Sequence, residues 1–283
     1  MATGLSDWIR TANRRRIQRH RLTKPLIVTP LGFRFSGLDQ MLGLEWEAAE
    51  RALIQSLFGQ VDLFVNVGAH YGFYVCLAQQ AGVATIALEP VAANCAMIAK
   101  HLAANGWGAD VTVLPVAAGP QGGFIEIQGG GSGGTAVKAL SMAPASQVQT
   151  VPMVRLDDVV SPRGRKMLVL MDVEGFELPA LHGATALLSA SPKPVWIIEV
   201  ISHFGRADAP RLNPDYVETF ALMQAAGYDA YRIDVGLVRV SLADAKAVAA
   251  KPARDGLINF LFVEAGLSPA SLGLTINALG AGA

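Results

Sequence analysis

The stretch Asp62-Leu-Phe-Val-Asn-Val-Gly-Ala-His-Tyr-Gly72 decides how the chain is read. Its apolar run, Leu63 to Val67, stops at Gly68, and Gly72 opens a segment with Phe73, Cys76 and Leu77 at i, i+3 and i+4. That order describes a buried strand, a tight turn and an amphipathic helix. A glycine turn lets a ligand approach the backbone closely. The helix start offers free N–H groups and a positive end to a carboxylate or phosphate. A second apolar run, Ala84 to Leu88, ends in Glu89-Pro90. An acid at the tip of the second strand can accept hydrogen bonds from both ribose hydroxyls of a nucleoside. The pattern Gly-x-x-x-Gly lacks the three-glycine dinucleotide spacing, which argues against a nicotinamide cofactor.

The chain of 283 residues is 52% hydrophobic, which suits one large α/β domain with a core on both faces of its sheet. No apolar stretch is long enough to cross a bilayer, and no apolar segment of the secretory type follows the N-terminal charges. Cys76 and Cys95 fall at apolar helix positions and read as buried thiols, so a cytoplasmic location is expected and no cysteine-based metal site is visible. The net charge is zero but uneven: residues 1–24 hold Arg10, Arg14, Arg15, Arg16, Arg19, Arg21 and Lys24 against Asp7. Such an arm can touch an anionic surface. No basic and aromatic module accompanies it, so no specific nucleic-acid partner is expected.

Further along, residues 26–35 read as a short strand or hairpin and Leu44 to Phe58 as a helix carrying Trp46 on its buried face. Strands follow at 62–67, 84–89 and Val111 to Val116, with helices between them. The alternation then breaks. Phe124 to Ile127 and Val148 to Val154 read as strands of a β-hairpin insertion. The stretch Gln128 to Gly134, with five glycines in seven residues, reads as a loop on it. Met167 to Met171 is a fourth core strand ending at Asp172-Val-Glu174-Gly175, and Pro194 to Val200 a fifth with Glu199 near its tip. Tyr228 to Asp234 and Leu257 to Val263 complete the sheet. The expected division is a basic arm (1–24), a cap or lid (25–60), the main domain (61–265) and a small-residue tail (266–283).

Asp172 and Glu174 are the best candidates for chemistry. Alternate residues of an extended strand end share a face. Two close carboxylates raise one pKa and yield a general base, or they bind a cation through oxygen. The bland alternative has Glu174 capping the next helix. His203, after the fifth strand, is a second candidate base, and His70 sits where it can contact a ligand's carboxylate. Asn66 either holds the turn through local bonds or touches the ligand. His101 and His182, on helices, are expected on solvated faces.

Four segments together resemble the FkbM-type methyltransferases: Asn66-Val-Gly-Ala-His-Tyr-Gly72, Leu88-Glu-Pro90, Val151-Pro-Met-Val-Arg-Leu-Asp-Asp158 and Met171-Asp-Val-Glu-Gly-Phe-Glu-Leu178. The resemblance implies a doubly wound, mostly parallel, seven-stranded sheet of the class I methyltransferase, Rossmann-like kind, with a reversed last strand. It implies S-adenosyl-L-methionine as cofactor, against Asn66, Gly68, Ala69, His70, Gly72, Glu89, Pro90 and Ala117. It also implies O-methylation of a hydroxyl on a sugar, glycolipid or polyketide-like acceptor, the partner being a small molecule or glycan. The chain departs from the family where it has Asn66 for the usual Asp, His70 for Asn, and Leu170 for a frequent Lys. A non-catalytic binding protein of the same fold, or a nicotinamide-dependent oxidoreductase, are the alternative readings.

Overall fold

The computed structural model describes residues 22–130, 133–137, 148–206, 209–251 and 259–274; the basic arm up to residue 21 and the tail from residue 275 lie outside them. A small hairpin of β1 (Ile27–Val28) and β2 (Arg34–Phe35) is followed by helix α1 (Ala48–Phe58). Then come β3 (Leu63–Val67), α2 (Phe73–Gln80), β4 (Ala84–Leu88), α3 (Ala92–Asn105) and β5 (Val111–Leu114). A second group of strands follows: β6 (Ala117–Ala118), β7 (Gly123–Gly130), β8 (Gly133–Val137) and β9 (Val148–Val154). The chain returns through α4 (Leu156–Val159), β10 (Met167–Met171), α5 (Glu177–His182), α6 (Thr185–Leu188) and β11 (Val195–Glu199). It ends with β12 (His203–Arg206), β13 (Ala209–Leu212), α7 (Tyr216–Ala225), β14 (Tyr228–Arg232), β15 (Val238–Val240), α8 (Leu242–Ala249) and β16 (Asn259–Glu264).

Eight strands form the central sheet, in the order β15-β14-β16-β11-β10-β3-β4-β5. The five from β11 to β5 are parallel, and β16 runs antiparallel between β11 and β14. This is the expected doubly wound α/β fold with a reversed strand, but with eight strands rather than seven. The extra strand, β15, is three residues long and mostly exposed at the edge, too short to show a pattern in the sequence.

The core strands are apolar throughout because both sheet faces are covered. Alternate side chains feed opposite layers. Leu63, Val65, Val67, Met167, Val169 and Met171 pack with α5, α6 and α7. Phe64, Leu168, Leu170 and Ile197 pack with α1, α2 and the β1–β2 hairpin. Phe64 and Ile197 are wholly buried, and each such side chain contributes about 1.5–3 kcal/mol.

Three further expectations change. The insertion is not a hairpin but a four-stranded sheet, β6-β9-β7-β8. Strands β7 and β8 run into the glycine-rich stretch, so Gly129, Gly130 and Gly133 carry ladder pairing rather than loop, with a register shift that skips Gly134. Helix α1 starts at Ala48 because Glu47 takes a left-handed conformation, which leaves Trp46 ahead of the helix instead of on it.

The register sets up the site. Val67 pairs with both Leu88 and Met171, and Met171 pairs with Ile198. The next residues, Gly68, Glu89, Asp172 and Glu199, therefore share one row beyond the carboxyl ends of four adjacent parallel strands. Chain direction across the sheet reverses between β3 and β10, the position where doubly wound sheets open a crevice for ligands.

Candidate functional site

A cavity of about 250 Å³ opens over this row. A smaller one of about 60 Å³ continues from it, sharing Trp46, Glu47, Gly68, His70, Asp172 and Glu199 as walls. Of the residues singled out in the sequence, Gly68, His70, Glu89, Pro90, Ala117, Asp172 and Glu174 line the larger cavity. Asn66 and Ala69 line the smaller. Gly72 and His203 line neither.

The turn after β3 is built from the glycines outward. Gly68 has φ +87°, and a Cβ there would lie 1.8 Å from the carbonyl oxygen of Asp172. Its lack of a side chain thus serves the junction of β3 with β10 before any ligand. Gly72 has φ +81°, and its Cβ would meet Ile98 of α3 at 2.8 Å. Both glycines thus serve chain packing, and Gly68 also lines both cavities.

Glu89 is the organising side chain. Its Oε2 accepts the His70 backbone N–H at 2.7 Å. Its Oε1 accepts the Val91 N–H at 2.9 Å and the Asn94 Nδ2 group at 3.0 Å. The carboxylate locks the turn to the start of α3 and leaves acceptor capacity chiefly on Oε2. Burial pushes its pKa up to about 7, although the three N–H groups pull the other way. Beside it, Pro90, Val116, Ala117, Ala118 and Ile127 form an apolar wall.

Asp172 follows β10, and its Oδ1 is closed off from solvent with no hydrogen-bond partner. Burial, then the charges of Glu174 and Glu177, hold its pKa well above the ordinary range. Glu174 does not share its face by strand alternation, since the strand ends at Met171 and Glu174 has φ 56°. The turn brings it to the cavity. Beside it, the Gly175 N–H donates to Glu177 Oε1 at 2.9 Å. Three non-glycine residues with positive φ, Glu47 at 46°, His70 at 49° and Glu174 at 56°, all line the cavity. Strain held at several points around one cavity is a mark of a functional site.

His203 lies buried in β12, with Nδ1 3.2 Å from Ser202 Oγ, because the chain turns into the core after Glu199. His101 is not solvated but wholly buried. It accepts the Ser36 N–H on Nε2 and bonds the Tyr71 carbonyl through Nδ1, tying β2 to the turn. His182 is exposed, as expected.

The sequence reading missed the acids on the far side. Glu199 lines both cavities, and burial followed by the charge of Asp172 raises its pKa well above normal. Glu50 of α1 lines the smaller cavity, with burial and then Glu47 and Asp172 raising its pKa. Glu47 accepts the Tyr74 O–H at 2.7 Å. Glu199 carried a signal, its place at a strand tip. Glu47 and Glu50 carried none, because only the packing of α1 against the sheet edge brings them in.

The FkbM methyltransferase domain model matches residues 66–230, more than half of the chain. The chain therefore belongs to the FkbM methyltransferase family, and it is a methyltransferase that uses S-adenosyl-L-methionine. The site fits that cofactor: a buried acid at the second strand tip, an apolar wall beside it, and an orphaned acidic oxygen at the fourth strand. No protein of curated function matches the sequence. Among solved structures, the precorrin-6y C5,15-methyltransferase of Geobacter metallireducens is similar at 10% identity, over 82% of this chain and 94% of that one, with a TM-score of 0.42. The O-methyltransferase of a trans-AT polyketide synthase multienzyme of Brevibacillus brevis, solved with S-adenosyl-L-homocysteine, is similar at 10% identity, over 86% and 81%, with a TM-score of 0.42. A likeness at that level adds nothing to the assignment. Among the described residues, no helix is long and apolar enough to cross a membrane.

Proposed function

We propose that the chain methylates a hydroxyl group on a sugar, glycolipid or polyketide-like acceptor. The observation that carries this reading is Asp172, which lines the cavity that also holds Glu89 and whose Oδ1 is buried without a hydrogen-bond partner. Bound S-adenosylmethionine supplies a methyl group already made electrophilic by its sulfonium. The protein's part is then to hold, orient and dry the reactants, and to take one proton. Glu89 and the apolar wall from Pro90 to Ile127 hold the nucleoside end. An acceptor hydroxyl donates its hydrogen bond to Asp172 Oδ1. That carboxylate takes the proton as the C–O bond forms, and its raised pKa brings it toward the working range of a general base. Glu174 beside it keeps the pKa high through like charge. Leu38, Met41 and Trp46, from the segment before residue 60, cover the cavity and exclude water. Alignment in such a closed site supplies a large share of the acceleration.

The test is turnover of methyl-labelled S-adenosylmethionine against a panel of hydroxyl acceptors, with Asp172→Asn as control. Label should pass to an oxygen of one acceptor class in the native chain and not in the variant. Binding of the cofactor without transfer to any acceptor favours the non-catalytic alternative.

A further inference from the structure

One end of the molecule carries side chains that the transfer reaction does not use. Among the described residues nine large apolar side chains are exposed, and three of them, Leu22, Ile27 and Val28, lie close together in the chain. Val28 is 66% exposed and Ile27 43%. In the β1–β2 hairpin Val28 stands opposite Arg34, and Ile27 opposite Phe35. Opposed residues of an antiparallel pair project on one face. Phe35 is wholly buried, so its face meets the core, and the other face shows Val28 beside the exposed Arg34. Lys100 Nζ donates to the carbonyls of Leu22 at 2.8 Å and Lys24 at 2.7 Å. Lys24 Nζ donates in turn to the Gly37 carbonyl at 2.8 Å and to Asp39 Oδ1 at 2.9 Å. Lys24 is thereby spent, and it ties this end to the segment whose Leu38 and Met41 cover the larger cavity.

Single exposed apolar residues are ordinary on any surface. What sets these apart is the sequence leading into them. Residues 10–21 hold Arg10, Arg14, Arg15, Arg16, Arg19 and Arg21 without one acid. The whole chain has zero net charge, so the remainder is net acidic. A polyanion therefore attracts this end and repels the rest, which orients the encounter. A nucleic acid or an acidic protein would answer the arginines but leave Leu22, Ile27 and Val28 in water. An anionic bilayer answers both. Its phosphates pair with guanidinium groups, and its headgroup–acyl boundary takes the apolar side chains. Trp8, Ile9 and Ile17, interleaved with the arginines in sequence, belong to the same chemistry, since tryptophan favours that boundary. Neither part suffices alone. Basic charge without apolar contact is lost in salt, and a small apolar patch gives only marginal binding, so stable anchoring takes two signals.

We propose that this end, the six arginines together with Leu22, Ile27, Val28 and Arg34, docks the chain on the surface of an anionic lipid bilayer. Docking brings the cover of the larger cavity toward the lipid, through Lys24 and the Gly37 carbonyl. The proposal holds whatever the methyl acceptor is, so its failure leaves the methyl-transfer reading standing.

The experiment is co-sedimentation of the full chain with two kinds of vesicle, phosphatidylcholine alone and phosphatidylcholine mixed with phosphatidylglycerol. The chain should bind the mixed vesicles at least about tenfold tighter at low salt. Raising the salt should weaken that binding without abolishing it. Arg14→Gln, Arg15→Gln and Arg16→Gln combined should cost at least about tenfold. Ile27→Ser with Val28→Ser should cost about fivefold or more and leave what remains wholly salt-sensitive. Both variants should keep the native circular dichroism spectrum. If the serine variant fails that check, the arginine variant and the salt series decide. No binding to the mixed vesicles, equal binding to both kinds, or binding that salt abolishes in the native chain overturns the proposal. Native vesicle binding by a folded serine variant does the same. Tighter binding of a duplex RNA than of mixed vesicles at equal phosphate concentration overturns it in favour of a nucleic acid.

Discussion

Replacing Glu89 by Gln tests the centre of the site with a change of two atoms. The carboxylate accepts three N–H groups, the backbone N–H of His70 on one oxygen, and the backbone N–H of Val91 and the side-chain Nδ2–H of Asn94 on the other. An amide has only one oxygen. If that oxygen takes the place of Oε1, the new NH2 points at the His70 N–H. If it takes the place of Oε2, the NH2 points at the Val91 N–H, which cannot turn away. Either way one backbone donor is stranded at a residue only 4% exposed. Losing one hydrogen bond to a charged group costs about 1.5–3 kcal/mol. Urea stability should fall by that amount; S-adenosylhomocysteine affinity should fall at least about tenfold, because the ribose hydroxyls lose a charged acceptor and about 1.4 kcal/mol is a factor of ten. Glu89→Asp keeps the charge at shorter reach and should recover part of both.

The same side chain sets a pH dependence. Without ligand its pKa is about 7. Ribose hydroxyls donate to it and favour the ionised form, so binding releases a proton. Affinity should therefore hold above pH 7 and weaken below it, approaching about tenfold per pH unit. The slope should vanish in Glu89→Gln. Isothermal titration of the folded variant decides the matter: native stability together with unchanged, equally pH-dependent affinity would refute the placement of Glu89 against the cofactor.

Gly68→Ala should lose at least about 3 kcal/mol of folding stability, combining left-handed strain with a Cβ driven into the Asp172 carbonyl; native urea stability would show that the junction of β3 and β10 gives way easily. Asp172→Asn should lower the methylation rate by about 10²–10⁴ with a much smaller change in cofactor affinity, and a native rate with the physiological acceptor would remove Asp172 as the base. Ligand-free stability should fall as pH rises through the window from about 4.5 to 7, because Glu89 and Glu177, both raised to about 7 by burial, favour the protonated folded state. His101, lowered to about 4 by burial, acts with the opposite sign below its unfolded value, leaving a net loss of at least about 1.4 kcal/mol per pH unit between 4.5 and 6.5, to which Glu47, Glu50, Asp172 and Glu199, raised by burial, add in the same direction; stability that rises through that window in urea titrations contradicts this balance.

The sheet core was legible because its signal is local. Leu63 to Val67, Ala84 to Leu88 and Met167 to Met171 are apolar runs ending in glycine or acid, and the observed strands match the reading to within one residue. The acids on that row, Glu89 and Asp172, follow from the strand ends. What failed depended on neighbours distant in sequence. His101 looks like a solvated helix residue until Ser36 and Tyr71 close over it. The packing role of Gly68 shows only once the Asp172 carbonyl is seen beside it. His203 was placed by its distance past a strand, and the chain turns inward before reaching it. Trp46 was assigned to a helix face because nothing in the sequence announces the left-handed turn at Glu47.

The acidic site itself is divided between two pieces of chain, and this explains why it could not be read from either. Asp172, Glu174 and Glu199 stand at the open edge of the sheet, where alone they would be ordinary hydrated acids. Glu47 and Glu50 stand at the start of α1, where they would also be hydrated. Packing α1 across the edge, through Leu53, Ile54 and Leu57, takes both sets out of water together. Apolar burial of those three side chains offsets the cost of bringing like charges close. The fold thus stores unfavourable charge in the place where a positively charged cofactor relieves it. Ligand binding should accordingly stabilise the chain more strongly at neutral than at acidic pH, because protonation empties the store. Thermal shifts with S-adenosylmethionine at pH 5 and pH 7.5 measure this directly, and a larger shift at the lower pH would show that the acids do not face the ligand.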